Sequence, residues 1–134
     1  MTDNLIRDIS ELHAVKGHSE KHRAMDQSQL VAFFKFRKEF LAEELTELED
    51  AKSADDVVDA LIDLLVVAIG TLDSFGVDGQ KAWDEVHTKN MQKHAGSNPS
   101  RPNEFGLPDL IKPPGWKPPS HKGNCGRFIE IFEE

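Results

Sequence analysis

The chain has 134 residues, of which 38% are apolar and 30% charged, proportions typical of a single soluble globular domain. Its net charge of −8 gives no general attraction for nucleic-acid backbones or anionic lipid, so we expect neither nucleic-acid polymers nor membranes as partners. The single cysteine, Cys125, excludes an internal disulfide, and residues 1–4 lack the basic start of a signal peptide, which together predict a cytoplasmic location.

The first half of the chain predicts two helices separated by a polar loop. A short amphipathic helix is predicted where four apolar residues recur at helical spacing, namely Leu5, Ile6, Ile9 and Leu12. Residues 16–25 are polar and contain Gly17, a pattern that predicts a loop. Asp26 and Gln29 have the spacing of a capping box, and they begin a second helix that is predicted to reach about Ala51.

Two further helices are predicted after a second capping signal. Ser53 and Asp56 predict the start of a third helix over residues 54–74. Its apolar residues cover most of the circumference, which is typical of a helix in the middle of a bundle or at a subunit interface. Asp78 predicts the start of a fourth helix that ends near His94. Four of its residues are expected to face inward: Ala82, Trp83, Val86 and Met91.

The last part of the chain has a different composition. All seven prolines lie between residues 98 and 120, which excludes a regular helix or a central strand there. We therefore predict an all-α bundle of four or five helices over residues 1–96, which holds the metal and nucleotide sites. A proline-rich tail over residues 97–134 is expected to pack on this bundle or on a neighbouring subunit. The apolar segment 127–132 is compatible with either a helix or a strand.

Acidic residues are concentrated between residues 39 and 63, where there are ten of them and one basic residue. Glu44 and Glu47 are three positions apart, so both side chains lie on one face of the second helix. A run of charges on a helix is also typical of a solvated face, and this alternative stays open when the second helix is considered alone.

A second acidic group lies on the third helix. Asp56, Asp59 and Asp63 are spaced by three and then four residues, so they share one face. Asp59 and Asp63 lie in an apolar stretch, where unpartnered carboxylates would each cost several kcal/mol. Their partners would be either metal ions or the basic side chains of Arg37 or Lys89. Facing carboxylates on two helices offer the oxygen ligands that Mg²⁺ prefers, with Mn²⁺ as a substitute.

Basic residues lie near the end of the fourth helix. Lys89, Asn90 and Lys93 share one side of it. Two ammonium groups and an amide beside a metal cluster would suit a polyphosphate. The alternative is an ordinary helix C-terminus, where lysines interact favourably with the helix dipole.

The order of these segments resembles the all-α nucleoside triphosphate pyrophosphohydrolase (MazG-like) superfamily. The likeness is strongest to the small phosphoribosyl-ATP pyrophosphohydrolase-like proteins of bacteria and phages. One segment reads Phe-Arg-x-x-Phe-Leu-x-Glu-Glu and another Asp-Ala-Leu-x-Asp-Leu. The five segments that carry the resemblance are residues 36–44, 59–64, 70–71, 90–93 and 112–116.

The resemblance implies an enzyme that uses Mg²⁺ to split an NTP or dNTP into a monophosphate and pyrophosphate. It implies that Glu44, Glu47 and Asp63 are metal ligands and catalytic residues. The superfamily usually has a Glu-x-x-Asp pair on the third helix, but Ala60 lies three positions before Asp63. Asp59 is the natural substitute as a fourth metal ligand. The resemblance also implies a homo-oligomer, either a dimer or a dimer of dimers.

The predicted substrate-binding residues are Lys89, Asn90, Lys93, Lys112 and Trp116, and the last two come from the final segment of the resemblance. Two alternatives to a hydrolase remain open. Ala60 is compatible with a regulator that binds nucleotides without turnover. A helix-bundle interaction protein with structural acids is the second alternative, and it predicts no change of melting temperature with Mg²⁺ or nucleotides.

Overall fold

The computed structural model describes residues 4–98 and 104–132, so parts of the predicted bundle and tail, residues 1–3, 99–103 and 133–134, lie outside the described residues. The described residues form five α-helices, a two-stranded antiparallel sheet and one 3-10 helix. The elements are α1 (Leu5–Val15), α2 (His18–Arg23), α3 (Gln27–Asp50), α4 (Ala54–Ser74), α5 (Gly79–Met91), β1 (His94–Gly96), β2 (Asp109–Ile111) and the 3-10 helix Gly126–Glu130. The prediction of an all-α bundle with four or five helices is confirmed.

Local side-chain hydrogen bonds define the helix starts that the sequence predicts. The side chain of Asp26 accepts from the backbone N–H of Gln29, and the Gln29 side chain accepts from the backbone of Asp26. Ser53 caps α4 by accepting from the backbone N–H of Asp56. Asp78 caps α5 in the same way. These caps satisfy N–H groups that have no partner within the first helical turn.

Three predictions about local structure are wrong. Residues 16–25 are not a loop, because Gly17 has a φ of 78° and turns the chain into the short helix α2. The fourth helix ends at Met91, and the residues after it form β1 instead. Trp83 and Met91 do not face inward, since they are 62% and 72% exposed. The direction of α5 differs by 117° from that of α4, so much of its apolar side has no neighbour in the single chain.

The core is completed by the last described segment. Leu30 and Phe75 are fully buried, and the Phe75 ring stacks on Phe128 with centroids 4.0 Å apart. The backbone N–H of Arg127 donates to the Phe75 carbonyl at 2.6 Å. Gly126 has a φ of 52°, and a Cβ there would overlap the Phe75 carbonyl oxygen. The undecided segment is therefore a 3-10 helix that closes over the end of α4.

A two-stranded sheet follows α5, and the segment after the sheet packs on the end of that helix. β1 and β2 pair in antiparallel register, with His94 opposite Ile111. The indole Nε1 of Trp116 donates to the Lys89 carbonyl at 3.1 Å. Within the described residues, this part of the tail therefore contacts the bundle of its own chain.

One side of α4 is left uncovered. α3 packs along the other side, and the uncovered apolar side chains are 37% to 62% exposed. They are Val57, Val58, Leu61, Ile62 and Leu65. In residues 4–98 and 104–132, no single helix has the length and apolar character needed to cross a bilayer. Only α4 and α5 together, across their bend, meet that criterion by length and composition.

Candidate metal centre

Three carboxylates from two neighbouring helices come together between α3 and α4. Glu44 and Glu47 are one turn apart on α3, and Asp63 lies on α4. One oxygen atom from each of them lies within 4.8 Å of the other two. We call these three residues the acidic cluster. The structure thus brings together three of the four predicted metal ligands, and their role as ligands stays a prediction.

The acidic cluster combines burial with like charge. Glu44 is buried, Asp63 is half-buried and Glu47 is exposed. The Oε2 atom of Glu44 is buried without a hydrogen-bond partner among the described residues. Burial raises the pKa of Glu44, and the charge of Glu47 together with a hydrogen bond between the two side chains raises it further. The charges of Asp63 and Glu43 act in the same direction.

A buried oxygen without a partner, next to two further carboxylates, fits the requirements of a hard divalent cation such as Mg²⁺ or Mn²⁺. A cation there would replace the missing hydrogen bond and offset the repulsion between the three carboxylates. The donor set contains only oxygen atoms, which disfavours softer metals that prefer imidazole or thiolate ligands.

Asp59 lies outside the acidic cluster. Asp59 and Asp56 are both exposed on α4, whereas Ala60 is buried at 5% exposure. Successive residues of a helix are about 100° apart around its axis, so Ala60 faces inward and its neighbour Asp59 does not. In the single chain, the predicted substitute ligand is therefore not brought to Glu44, Glu47 and Asp63.

Arg37 was one of the two predicted alternative partners for the aspartates, and it is engaged elsewhere. Its Nε donates to the Thr71 hydroxyl at 3.0 Å, and its Nη2 donates to the Val67 carbonyl at 2.9 Å. Sequence reasoning missed this link between α3 and α4. Arg37 lies two turns before Glu44 on the same face of α3. This spacing could have predicted that Arg37, like Glu44, faces α4. In the described part of the chain, no basic side chain forms a salt bridge with the acidic cluster.

The predicted substrate-binding residues form a separate group, the basic group, at the end of α5. The Nζ atoms of Lys93 and Lys112 lie 5.0 and 5.3 Å from the centroid of the Trp116 ring. Lys89 provides the carbonyl that fixes this ring, and Asn90 is exposed beside it. Among the described residues, no hydrogen bond or salt bridge joins the basic group to the acidic cluster. The direction of α5, which carries most of the basic group, differs by 117° from that of α4.

Comparison with known protein families agrees with this arrangement. A family model described as phosphoribosyl-ATP pyrophosphohydrolase matches residues 9–90, more than half of the chain. The matched region contains the whole of α3 and α4 and so includes the acidic cluster. No curated protein matches the chain.

The members of this family are hydrolases that depend on divalent metal and act on phosphoric anhydrides. The matched region ends at Asn90, before the sheet and the 3-10 helix. The chain therefore belongs to the phosphoribosyl-ATP pyrophosphohydrolase family of the MazG-like, all-α superfamily, and it is a nucleotide pyrophosphohydrolase.

Proposed function

We propose that the chain is a Mg²⁺-dependent enzyme that hydrolyses a nucleoside triphosphate, NTP or dNTP, to the monophosphate and pyrophosphate. The observation that carries this proposal is the acidic cluster, in which Glu44 is buried next to Glu47 and Asp63 with one oxygen unpartnered. A buried carboxylate among like charges destabilises a fold unless a cation compensates it. Its presence therefore supports metal binding over a purely structural role for these acids.

The three residues of the acidic cluster would hold the cation. When bound, the cation would supply positive charge for the phosphate oxygens and favour ionisation of the attacking water. Glu47 is the exposed member of the cluster, which makes it the carboxylate best able to accept a proton from that water. Attack of water on the α-phosphorus forms one P–O bond and breaks the bond to the oxygen between the α- and β-phosphorus atoms. Pyrophosphate then leaves.

We further propose that a second copy of the chain covers the exposed side of α4. Five large apolar side chains there are 37% to 62% exposed in the single chain, and their burial in a symmetric interface would be favourable. Such an interface would place α4 in the middle of a larger bundle, which its apolar sequence predicts. It would also allow the basic group of one chain to approach the acidic cluster of another. The proposed assembly is a dimer or a dimer of dimers.

The basic group would bind the phosphates of the substrate. Lys89 and Lys93 supply positive charge near the end of α5, Lys112 adds a third ammonium group, and Asn90 offers an exposed amide. The contacts of Trp116 favour a supporting role, because its N–H is bonded to a carbonyl and its ring contacts two ammonium groups. Trp116 would therefore hold the lysines in place, and it is less suited to stacking on a base.

The decisive experiment is a pyrophosphate-release assay with Mg²⁺ or Mn²⁺ over canonical and modified NTPs, dNTPs and phosphoribosyl-ATP. We expect equal amounts of monophosphate and pyrophosphate from at least one substrate. Activity should be lost in Asp63→Asn and retained in Asp59→Asn, which removes an acid outside the cluster. With ¹⁸O-labelled water, the label should enter the monophosphate.

Three other outcomes would contradict this proposal. Release of orthophosphate would indicate cleavage of another bond. Label in pyrophosphate would indicate attack on the β-phosphorus. Saturable nucleotide binding without any turnover would support the regulator that Ala60 suggests.

A further inference from the structure

Three histidine rings lie together outside the acidic cluster. His13 is on α1, and His18 and His22 are on α2. The centroid of the His13 ring lies 5.3 Å from each of the other two, and the His18 and His22 centroids are 6.1 Å apart. His13 is buried, His22 is half-buried and His18 is exposed. We call these residues the histidine cluster.

The local sequence explains why these rings meet. His18 and His22 are four residues apart, so they lie on one face of α2. Gly17 turns the chain with a φ of 78° and folds α2 back against the end of α1, which carries His13. Two histidines at this spacing on one helix face are a recognised arrangement for one transition-metal ion, and a third ligand from another helix completes such sites.

The distances between the rings fit a shared metal ion. With metal–nitrogen bonds of about 2.1 Å in a tetrahedral arrangement, the ring centroids would lie about 5 Å apart. The observed separations of 5.3 to 6.1 Å are close to this value. Among the described groups, only the acidic cluster already has its ligand atoms within 4.8 Å, so one ring must turn on binding. His18 is the ring free to do so, because it is exposed and has no hydrogen bond in the described chain.

Hydrogen bonds orient the other two rings. His13 Nδ1 lies 2.7 Å from Asp73 Oδ2, so Nε2 is its remaining nitrogen. The Cε1–Nε2 edge of the ring faces Gly70, which has no side chain, and Arg37 Nη2 lies beside the same glycine. A carboxylate bonded to a histidine is typical of zinc ligands. The Ser74 hydroxyl donates to the Gly70 carbonyl at 2.7 Å, so it accepts from His22 Nε2 at 3.2 Å. His22 Nδ1 is then the unprotonated nitrogen that a metal requires.

The surroundings of His22 favour the neutral form of its imidazole. Burial lowers the pKa of His22, and the positive charges of His13, His18 and Arg37 lower it further, while Asp73 opposes them. Metal binding needs the neutral ring, so protons compete little for this ligand at neutral pH. Asp73 also provides one negative charge beside the metal position.

We propose that His13, His18 and His22 bind one transition-metal ion of the kind that prefers imidazole, with Zn²⁺ as the first choice, at a site separate from the acidic cluster. The oxygen ligands of the acidic cluster suit Mg²⁺, whereas three imidazoles suit Zn²⁺. The ion would tie α1 to α2, and Asp73 would connect it to α4. This inference does not depend on the pyrophosphohydrolase activity.

The test is a Zn²⁺ titration of the untagged chain, freed of metal beforehand, in competition with a chromophoric chelator. Wild type and Asp63→Asn should each bind one Zn²⁺ with the same affinity. In His18→Ala the affinity for this ion should be more than about tenfold lower. His87→Ala is the matched control, because His87 is exposed on α5, and it should bind like wild type. Co²⁺ should give the visible absorption of a tetrahedral site in wild type and in His87→Ala.

A second variant separates ligand loss from misfolding. His18→Cys replaces the imidazole with another zinc ligand, so it should restore Zn²⁺ binding and add a sulfur-to-cobalt absorption band. Equal Zn²⁺ affinity of wild type, His18→Ala and His87→Ala would overturn the proposal. Loss of the tight site in Asp63→Asn but not in His18→Ala would also overturn it, because the ion would then lie in the acidic cluster.

Discussion

The acidic cluster between α3 and α4 and the basic group at the end of α5 differ in the contacts that their charged side chains make. In the acidic cluster, three carboxylates approach within 4.8 Å without a basic partner among the described residues. At the end of α5, two ammonium groups contact the Trp116 ring, and its N–H is bonded to a carbonyl. A bound cation would offset the repulsion between the carboxylates of the first region, whereas the ammonium groups of the second region already lie against an aromatic ring. The two regions therefore differ in whether contacts within the chain compensate their charge.

The largest effects should come from the acidic cluster, where function and stability should oppose each other. Glu44→Gln should lower kcat/KM by more than about 100-fold, because it removes a ligand for the charge that stabilises the transition state. It should also raise the Tm of the metal-free chain, because a buried carboxylate among like charges is replaced by a neutral amide. Kinetic assays and thermal melts in EDTA would measure the two effects.

Glu49→Gln is the matched control for this prediction, since Glu49 is exposed on α3 outside the cluster. It should leave kcat/KM and Tm unchanged. Mg²⁺ at about 100 times its Kd should stabilise wild type by about 2.7 kcal/mol and should not stabilise Glu44→Gln. If metal-free Glu44→Gln had a lower Tm than wild type, the Glu44 carboxylate would be stabilised by contacts within the chain. That result would contradict the contrast drawn between the two regions.

The next effect concerns the proposed subunit interface on α4, which would bring the two regions together. Ile62→Glu places a charge on the uncovered side of α4, and a symmetric interface would bring two such charges together. Subunit association should weaken at least about 100-fold, since facing like charges cost several kcal/mol. Sedimentation velocity over a concentration series would measure it. Val15→Glu changes an equally apolar residue, 71% exposed on α1, and should leave the assembly intact. A monomeric wild type would contradict the proposed interface.

A smaller effect is expected in the basic group. Lys93→Ala should cost about 0.5–1 kcal/mol of folding free energy, because one cation–π contact with Trp116 is lost. Its main consequence should be a higher KM, since an ammonium group that binds phosphate is removed. Urea unfolding and initial rates would separate the two effects. Lys117→Ala, on an exposed residue, is the control. A stability loss as large as that of a core substitution would show that this region is structural only.

The smallest effect is a pH dependence of stability in the metal-free chain. Burial and neighbouring positive charges lower the pKa of His22 below 6.5 in the folded state. Just below pH 6.5 the unfolded chain therefore binds this proton more fully than the folded chain, and the free energy of unfolding falls as the pH is lowered through this range. Urea unfolding in EDTA between pH 5 and 8, spanning the ordinary histidine pKa of about 6.5, would measure this slope. His22→Gln should reduce the dependence of the unfolding free energy on pH. An unchanged pH dependence in His22→Gln, together with a reduced one in His87→Gln, would show that His22 is not its source.

Features that depend on local sequence could be predicted, and features that depend on how the helices are oriented relative to one another could not. Apolar periodicity predicted four helices, and capping residues predicted the starts of three of them, because both signals act within one or two turns. Spacing predicted that Glu44 and Glu47 share one face of their helix and lie opposite the aspartates of the next helix, whereas the choice of Asp63 among those aspartates came from the family resemblance. The six-residue helix α2 has no buried residue and no apolar period, so its sequence did not distinguish it from a loop.

The remaining differences follow from geometry that no local pattern encodes. The exposed position of Asp59 depends on which side of α4 meets α3. The separation of the basic group from the acidic cluster depends on the angle between α4 and α5. The histidine cluster had a signal in the spacing of His18 and His22, but its third member, His13, lies on another helix.

The packing of the 3-10 helix over Phe75 has a consequence for which segment of the chain contains the whole core. The most deeply buried ring of the family-matched region is covered by Phe128, which lies well beyond the last matched residue. Gly126 permits the approach only because it has no side chain. Residues 9–90 expressed alone would thus expose the Phe75 ring to water, because the core of this chain extends past the end of the family-matched region.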